Sequence, residues 1–368
     1  MYYNIRMRAL SYMILDTDRY RKNIQILKDL SKKEMIAIIK ANGYGLVDHI
    51  VADILYEEGV RAFGVSSLLE AMSLRKHGIK GDILVLGYIP IDELDEAKKL
   101  DIAISSISKD YIYAIDKDVL KGLKIHIAID TGMHRIGLFP NEVEEVLSYL
   151  QDHSAKIEGI FTHFARSDDD MAFTELQLRR FKDIVKKLDY HFKYIHTSNT
   201  DAAIDLKDDI STHVRCGIGL LGYSSKESSL LQSVSLHSTV TNCRYIKKGE
   251  GIGYGQTYTL DEDAYILTVA IGYADGLLRA NKGREVYIAG SKKKIVGNIC
   301  MDQMMCLSKE YVPINSDVEI FGEHISLYEM AKDLNTIPYE VLTNLSDRLE
   351  RRYKKEDQVY LIYDPRFI

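Results

Sequence analysis

The chain has 368 residues, 46% hydrophobic and 28% charged, with a formal net charge of −6. That length suits two domains and that composition a folded chain, while the negative balance excludes the concentrated basic field of a nucleic-acid surface. No apolar run approaches the roughly 20 residues of a membrane helix, the first residues lack a signal peptide's apolar stretch and small-residue cleavage site, and four cysteines without CxxC pairing favour reduced thiols over disulfides or zinc. The expectation is a cytoplasmic protein with no metal and no membrane segment.

In chain order, β-branched runs alternate with amphipathic stretches. Strands are predicted at Met35–Ile39, Ala62–Ser66, Ile83–Gly87, Ile102–Ser105, Lys124–Ile129, Ile157–Phe161, Lys193–His196 and Thr212–Cys216. Between the first two, Val47, Ile50, Val51, Ile54 and Leu55 follow helical spacing until Gly59. Asn141 with Glu144 reads as the cap of a later helix. Eight such units predict an α/β fold, a (β/α)8 TIM barrel over residues 10–232, with a doubly wound open sheet as the alternative. From Ser233 the pattern changes to strands at Val234–Ile246, Tyr265–Ile271, Glu285–Ala289, Lys294–Val296 and Asp317–Phe321. Residues 233–368, joined by the first few of the chain, therefore predict a second, mostly β domain. The basic runs Lys292 to Lys294 and Arg348 to Lys355 read as solvated faces.

The C-terminal ends of barrel strands form the active face of such folds. Lys40 ends the first strand, in Ile39-Lys40-Ala41-Asn42-Gly43-Tyr44-Gly45. Partial desolvation there leaves an amine able to form a Schiff base, although the segment alone also fits a surface lysine. Other candidates share that rim: Met133 and Arg135 after strand five, His163 after strand six, Asn199 and Thr200 after strand seven, and Arg215, Gly217 and Ile218 closing strand eight. Loops after strands seven and eight often bind phosphate, and Thr200, Gly217 and Ile218 are placed for that task.

Six segments in order carry a resemblance to the alanine racemase family. They are the Lys40 segment, Asp130-Thr131-Gly132-Met133, Thr162-His163-Phe164-Ala165, Ile271-Gly272-Tyr273-Ala274-Asp275-Gly276, Gly297-Asn298-Ile299-Cys300-Met301-Asp302-Gln303 and Thr336-Ile337-Pro338-Tyr339-Glu340-Val341. The resemblance runs from about Arg8 to Tyr353. It implies a pyridoxal 5'-phosphate enzyme that interconverts L- and D-alanine, L- and D-serine or both, supplying D-amino acids for cell-wall precursors. It also implies a homodimer whose active sites are shared between subunits. By position, Lys40 resembles the lysine that carries the cofactor and Tyr44 the tyrosine at its phosphate. Thr200 stands where the family has a phosphate-binding serine. Arg215 resembles the arginine facing the pyridine nitrogen, supported by His163. Tyr273 resembles a second base reaching into the partner's site, and Met301 and Asp302 match a segment contributed across the interface. Two bases on opposite faces, Lys40 and Tyr273, suffice to remove and return an α-proton, and a cationic site lowers the pKa of each.

Two positions depart from the family. Ala128 stands where many members carry a carbamylated lysine beside the arginine equivalent to Arg135, so chloride, water or another carboxylate is expected there. Asp347 stands where a tyrosine usually lines the substrate pocket. A shorter polar residue frees space and accepts a hydrogen bond, which favours serine and is similar to the serine/alanine racemases associated with glycopeptide resistance. The competing readings are a decarboxylase of the same architecture, a non-catalytic carrier of the cofactor, and a structural protein. Arg215, in place of a carboxylate, speaks against the first. The β domain bearing Tyr273 speaks against the second, and a yellow protein would exclude the third.

Overall fold

The computed structural model describes residues 9–227 and 229–365. The chain divides into two compact units, one spanning residues 21–231 and the other formed by the residues before and after it. Strand β1 (Tyr12–Asp16) opens the described chain and belongs to the second unit.

The first unit is built on eight parallel strands: β2 (Glu34–Ile38), β3 (Ala62–Val65), β4 (Asp82–Val85), β5 (Ile102–Ser105), β6 (Lys124–Ala128), β7 (Lys156–Phe161), β8 (Tyr194–His196) and β9 (His213–Cys216). They close in sequence order into a barrel, with β9 returning to pair beside β2. The closed barrel decides against the open doubly wound sheet. Both faces of such strands are covered, so runs such as Ala62-Phe63-Gly64-Val65 are buried throughout. Crowding in the barrel excludes even a methyl at Gly64, where a Cβ would lie 2.6 Å from Ile38 Cδ1.

The helix after β2 spans Asp48–Glu57 and buries Val51, Ala52, Ile54 and Leu55. It stops before Gly59, whose φ of 84° suits a residue without a Cβ. The helix predicted near Asn141 is present at Val143–Asp152, but Asn141 does not cap it. A short 3₁₀ turn, Pro140–Glu142, precedes it, and the Phe139 N–H donates to Glu142 Oε2 at 2.9 Å. The misplaced cap follows from Pro140, whose fixed φ lets the helical path begin earlier. At the N-terminal end of the barrel, Lys124 lies within 4 Å of Asp82, Asp101 and Glu158.

The second unit adds β10 (Val234–Ile246), β11 (Ala264–Val269), β12 (Glu285–Ile288), β13 (Ser291–Val296), β14 (Met304–Ser308), β15 (Asp317–Phe321), β16 (Glu350–Lys355) and β17 (Gln358–Tyr363). Their order is β11-β14-β13-β12-β15-β10-β1-β16-β17, and β10 pairs again with β11, so six strands form a closed circuit. Every pairing is antiparallel except β1 with β16.

The run from Arg348 to Lys355 is not a solvated face. Most of it is β16, in which Tyr353 is fully buried and Arg351 is 1% exposed. Arg351 is accommodated because its Nη1 donates to the carbonyls of Ser346 and Leu349. Arg352 instead lies 3.4 Å over the Tyr12 ring. Charge-rich composition concealed this strand, because each cation finds its partner only in the folded sheet.

Candidate active site

Lys40 follows β2 at the C-terminal mouth of the barrel, where its side chain is exposed. The turn after it is left-handed at every residue, with φ of 53° at Ala41 and Asn42, 64° at Gly43, 58° at Tyr44 and 81° at Gly45. Desolvation lowers the Lys40 pKa, the charge of Arg135 lowers it further, and Glu70 opposes both. A neutral amine is thereby more accessible than on an ordinary lysine.

Arg215, on β9, is buried. Its Nη1 donates to the carbonyl and to Nδ1 of His196, each at 2.8 Å. Its Nη2 donates to the carbonyls of Thr162 and Thr197 at 2.8 Å and meets His163 Nδ1 at 3.1 Å. The remaining donor, Nε, has no hydrogen-bond partner among the described residues. Burial and the charge of Arg135 pull the Arg215 pKa down to about 9, still a cation at neutral pH. Burial and the surrounding cations push His163 down to about 3, so that its imidazole is neutral and accepts from the guanidinium.

Beside Arg215 the ends of β8 and β9 converge. Thr200 Oγ1 lies 3.4 Å from the Gly217 nitrogen and 3.3 Å from that of Gly219. Asn199 caps the following turn, its Oδ1 accepting from the Ala202 N–H at 3.2 Å and from Ser167 Oγ at 2.8 Å. The buried Tyr44 ring packs against Gly217, where a Cβ would overlap the phenol oxygen; one at Gly219 would overlap Thr200. Burial drives the Tyr44 phenol pKa upward, keeping it neutral. Tyr44, Thr200, Gly217 and Gly219 thus bring two hydroxyls and two backbone amides together.

Arg135 sits on a loop pinned by Asp130, whose Oδ1 accepts from the N–H groups of Gly132, Met133 and His134. Its charge reaches Lys40, His163 and Arg215. No carboxylate among the described residues pairs with it. Ala128 is buried, its N–H bonded to Ser106 Oγ and its carbonyl to the Leu138 N–H.

The candidates of the second unit also gather. Tyr273, 42% exposed, lies in a turn after β11. Its N–H donates to the Cys300 carbonyl and the Ala274 N–H to that of Met301. Gly272 permits this approach, since a Cβ there would overlap both carbonyl oxygens. Arg348 Nη2 lies 2.7 Å from Asp302 and its Nε 3.5 Å from Asp275, joining the two loops. Asp347 points away from its neighbour Arg348: its Oδ1 is 3.3 Å from Arg351 Nη2, and its side chain is 74% exposed.

Sequence reasoning missed Glu70, His126 and His196. The only trace of the histidines is their place inside apolar strands, where an imidazole needs a partner. The sequence Ser67-Leu68-Leu69-Glu70 marks Glu70 only as a helix-cap residue, because its partner Ala41 is brought to it by strand pairing.

A closed eight-stranded parallel barrel with Lys40, His163, Thr200 and Arg215 at the C-terminal ends of its strands has the architecture of a barrel enzyme, with its candidate residues on the face where such folds carry their active sites. The family model of the alanine racemase N-terminal domain matches residues 15–225, and that of the C-terminal domain matches residues 233–353. Alanine racemase 1 of Bacillus subtilis is 34% identical over 369 residues, covering 95% of each chain. The structure of alanine racemase from Clostridium difficile 630 superposes with a TM-score of 0.93 at 32% identity, covering 98% of this chain and 100% of that one. That of alanine racemase from Bartonella henselae with covalently bound pyridoxal phosphate gives 0.88 at 28% identity, covering 94% and 100%. The chain belongs to the alanine racemase family.

Proposed function

We propose that this chain is an alanine racemase that uses pyridoxal 5'-phosphate. The residues present fit that cofactor. Lys40 offers an amine for its aldehyde. Thr200 Oγ1 and the backbone N–H groups of Gly217 and Gly219, which lie within 3.4 Å of it, would hold its phosphate, with Tyr44, Asn199 and Ile218 around them. Arg215 Nε is a free donor for its ring nitrogen. When bound, the cofactor supplies an electron sink that acidifies the substrate α-proton.

This chain's residues do the rest. Lys40 Nζ moves the proton at one face of the α-carbon, and Tyr273 Oη, contributed by the partner subunit of a homodimer, moves it at the other. Arg215 stays charged and its Nε would donate to the ring nitrogen of the bound cofactor, which would keep that nitrogen unprotonated and the sink weak. Reprotonation of the α-carbon is then favoured over side reactions. Arg135 is the cation for the substrate carboxylate, and Met301 and Asp302 face the substrate from across the dimer interface. A role in supplying D-alanine for the cell wall, in the cytoplasm, accords with this reading; among the described residues no helix is long and apolar enough to cross a membrane.

The observation that carries the proposal is Arg215, with both Nη groups engaged by protein and Nε left over. The test is racemisation of L-alanine and L-serine by purified protein with added cofactor, with Lys40→Ala as control. D-Alanine formation, absent in the variant, is expected. A yellow protein inactive on both substrates would overturn the proposal.

A further inference from the structure

Left-handed backbone costs a non-glycine residue roughly 1–2 kcal/mol. The turn after Lys40 places Ala41, Asn42 and Tyr44 in that region consecutively with two glycines, so it needs outside support. Asn42 Oδ1 supplies some by accepting from the Asp48 N–H at 3.0 Å.

The rest comes from Glu70. This residue is the third of the helix Leu68–His77, whose N-cap Ser67 accepts from the Glu70 N–H at 3.3 Å. A glutamate at that position ordinarily reaches back to the N-cap amide. Here the carboxylate is diverted. Its Oε1 accepts from the Ala41 N–H at 2.7 Å, while Oε2 accepts from the Ser66 N–H at 2.7 Å and from Ser66 Oγ at 2.9 Å. One carboxylate thus bridges the turn carrying Lys40 and the segment leaving β3.

We infer that Glu70 is a positioning residue for Lys40: its carboxylate anchors the left-handed turn to the neighbouring strand end and aims the lysine into the barrel mouth. The inference rests on the assignment of Lys40 as the cofactor-bearing amine. Glu70 also places an anion near the lysine. The charged groups acting on Lys40 are Arg135, from the loop after β6, and Glu70, while His163, from the loop after β7, is neutral. Removing the Glu70 charge therefore leaves Arg135 unopposed and moves the Lys40 titration to lower pH.

The test uses cofactor-free protein, Glu70→Ala and Glu70→Gln. Hydrogen exchange at the Ala41 and Ser66 amides reports the anchor, and the rate of pyridoxal phosphate attachment against pH, trapped by borohydride and located by mass spectrometry, reports the lysine. Glu70→Ala should release both amides and slow attachment about tenfold, the effect of losing one charge-assisted hydrogen bond. Glu70→Gln, which keeps one acceptor and guards against misfolding of the first variant, should shift the attachment midpoint to lower pH. Unchanged amide protection and an unchanged pH profile in both variants overturn the inference. Attachment at another lysine in the unmutated protein overturns the Lys40 assignment instead, and amide exchange still judges the anchor.

Discussion

His196 Nε2 lies 2.9 Å from Nδ1 of His126 in the buried centre of the barrel. Because a guanidinium only donates, His196 Nδ1 must accept from Arg215, so the His196 proton sits on Nε2 and is given to His126. The orientation of Arg215 thus depends on two imidazoles that must both stay neutral.

That requirement makes stability depend on pH. Burial pushes His126 down to about 3, and burial with the Arg215 charge lowers His196 well below its ordinary value. The unfolded chain, with both near 6.5, binds more protons below that pH. Stability is therefore complete above pH 6.5 and declines as pH falls towards the folded values, by about 1.4 kcal/mol per pH unit for each imidazole. Urea unfolding midpoints at pH 7.5, 6.5 and 5.5 should show a small drop across the first interval and a marked one across the second. A level profile would mean that the pair is solvated.

Gly159 on β7 supports the same pair. A Cβ there would lie 2.5 Å from His126 Nδ1 and 2.7 Å from Cε1. Gly159→Ala should destabilise the barrel by about 1–3 kcal/mol through overpacking. It should also weaken cofactor binding, since a displaced His126 releases His196. Thermal unfolding and a cofactor titration measure the two effects; a variant as stable as the parent would show that the ring can move freely.

Tyr273→Phe should leave its turn intact, because the bonds holding the turn come from the backbone and Asp275. Cofactor binding should persist, while racemisation falls by about 10²–10⁴, the range for loss of a general acid–base group. In deuterated water, α-proton exchange should survive for one enantiomer and fail for the other. Equal loss for both would assign Tyr273 another role.

Asp347 carries the expectation of serine use. Its carboxylate is spent partly on Arg351, which retains two carbonyl partners of its own. Asp347→Tyr should therefore fold and should shift the serine-to-alanine ratio towards alanine by about 2- to 10-fold, the worth of one hydrogen bond. An unchanged ratio would remove Asp347 from substrate selection.

The barrel was legible because eight buried parallel strands demand continuous apolar runs, and because turn residues punctuate them at regular intervals. The rim candidates were legible for a related reason: once the strands are located, Lys40, His163, Thr200 and Arg215 must fall at one end. Strands β1, β14, β16 and β17 were not legible. In β16 the run Glu350 to Lys355 is charge-rich, and Arg351 and Arg352 read as solvated until Leu349, Ser346 and Tyr12 are brought to them. Likewise, the sequence alone places a lysine before a glycine-flanked tyrosine. Only the tertiary structure brings Glu70 from 29 residues away to hold that turn, and His126 across 70 residues to set the tautomer behind Arg215. The physical reason is common to both: strand identity follows from local periodicity, whereas the partner of a buried polar group is chosen by chain closure, which no local pattern records.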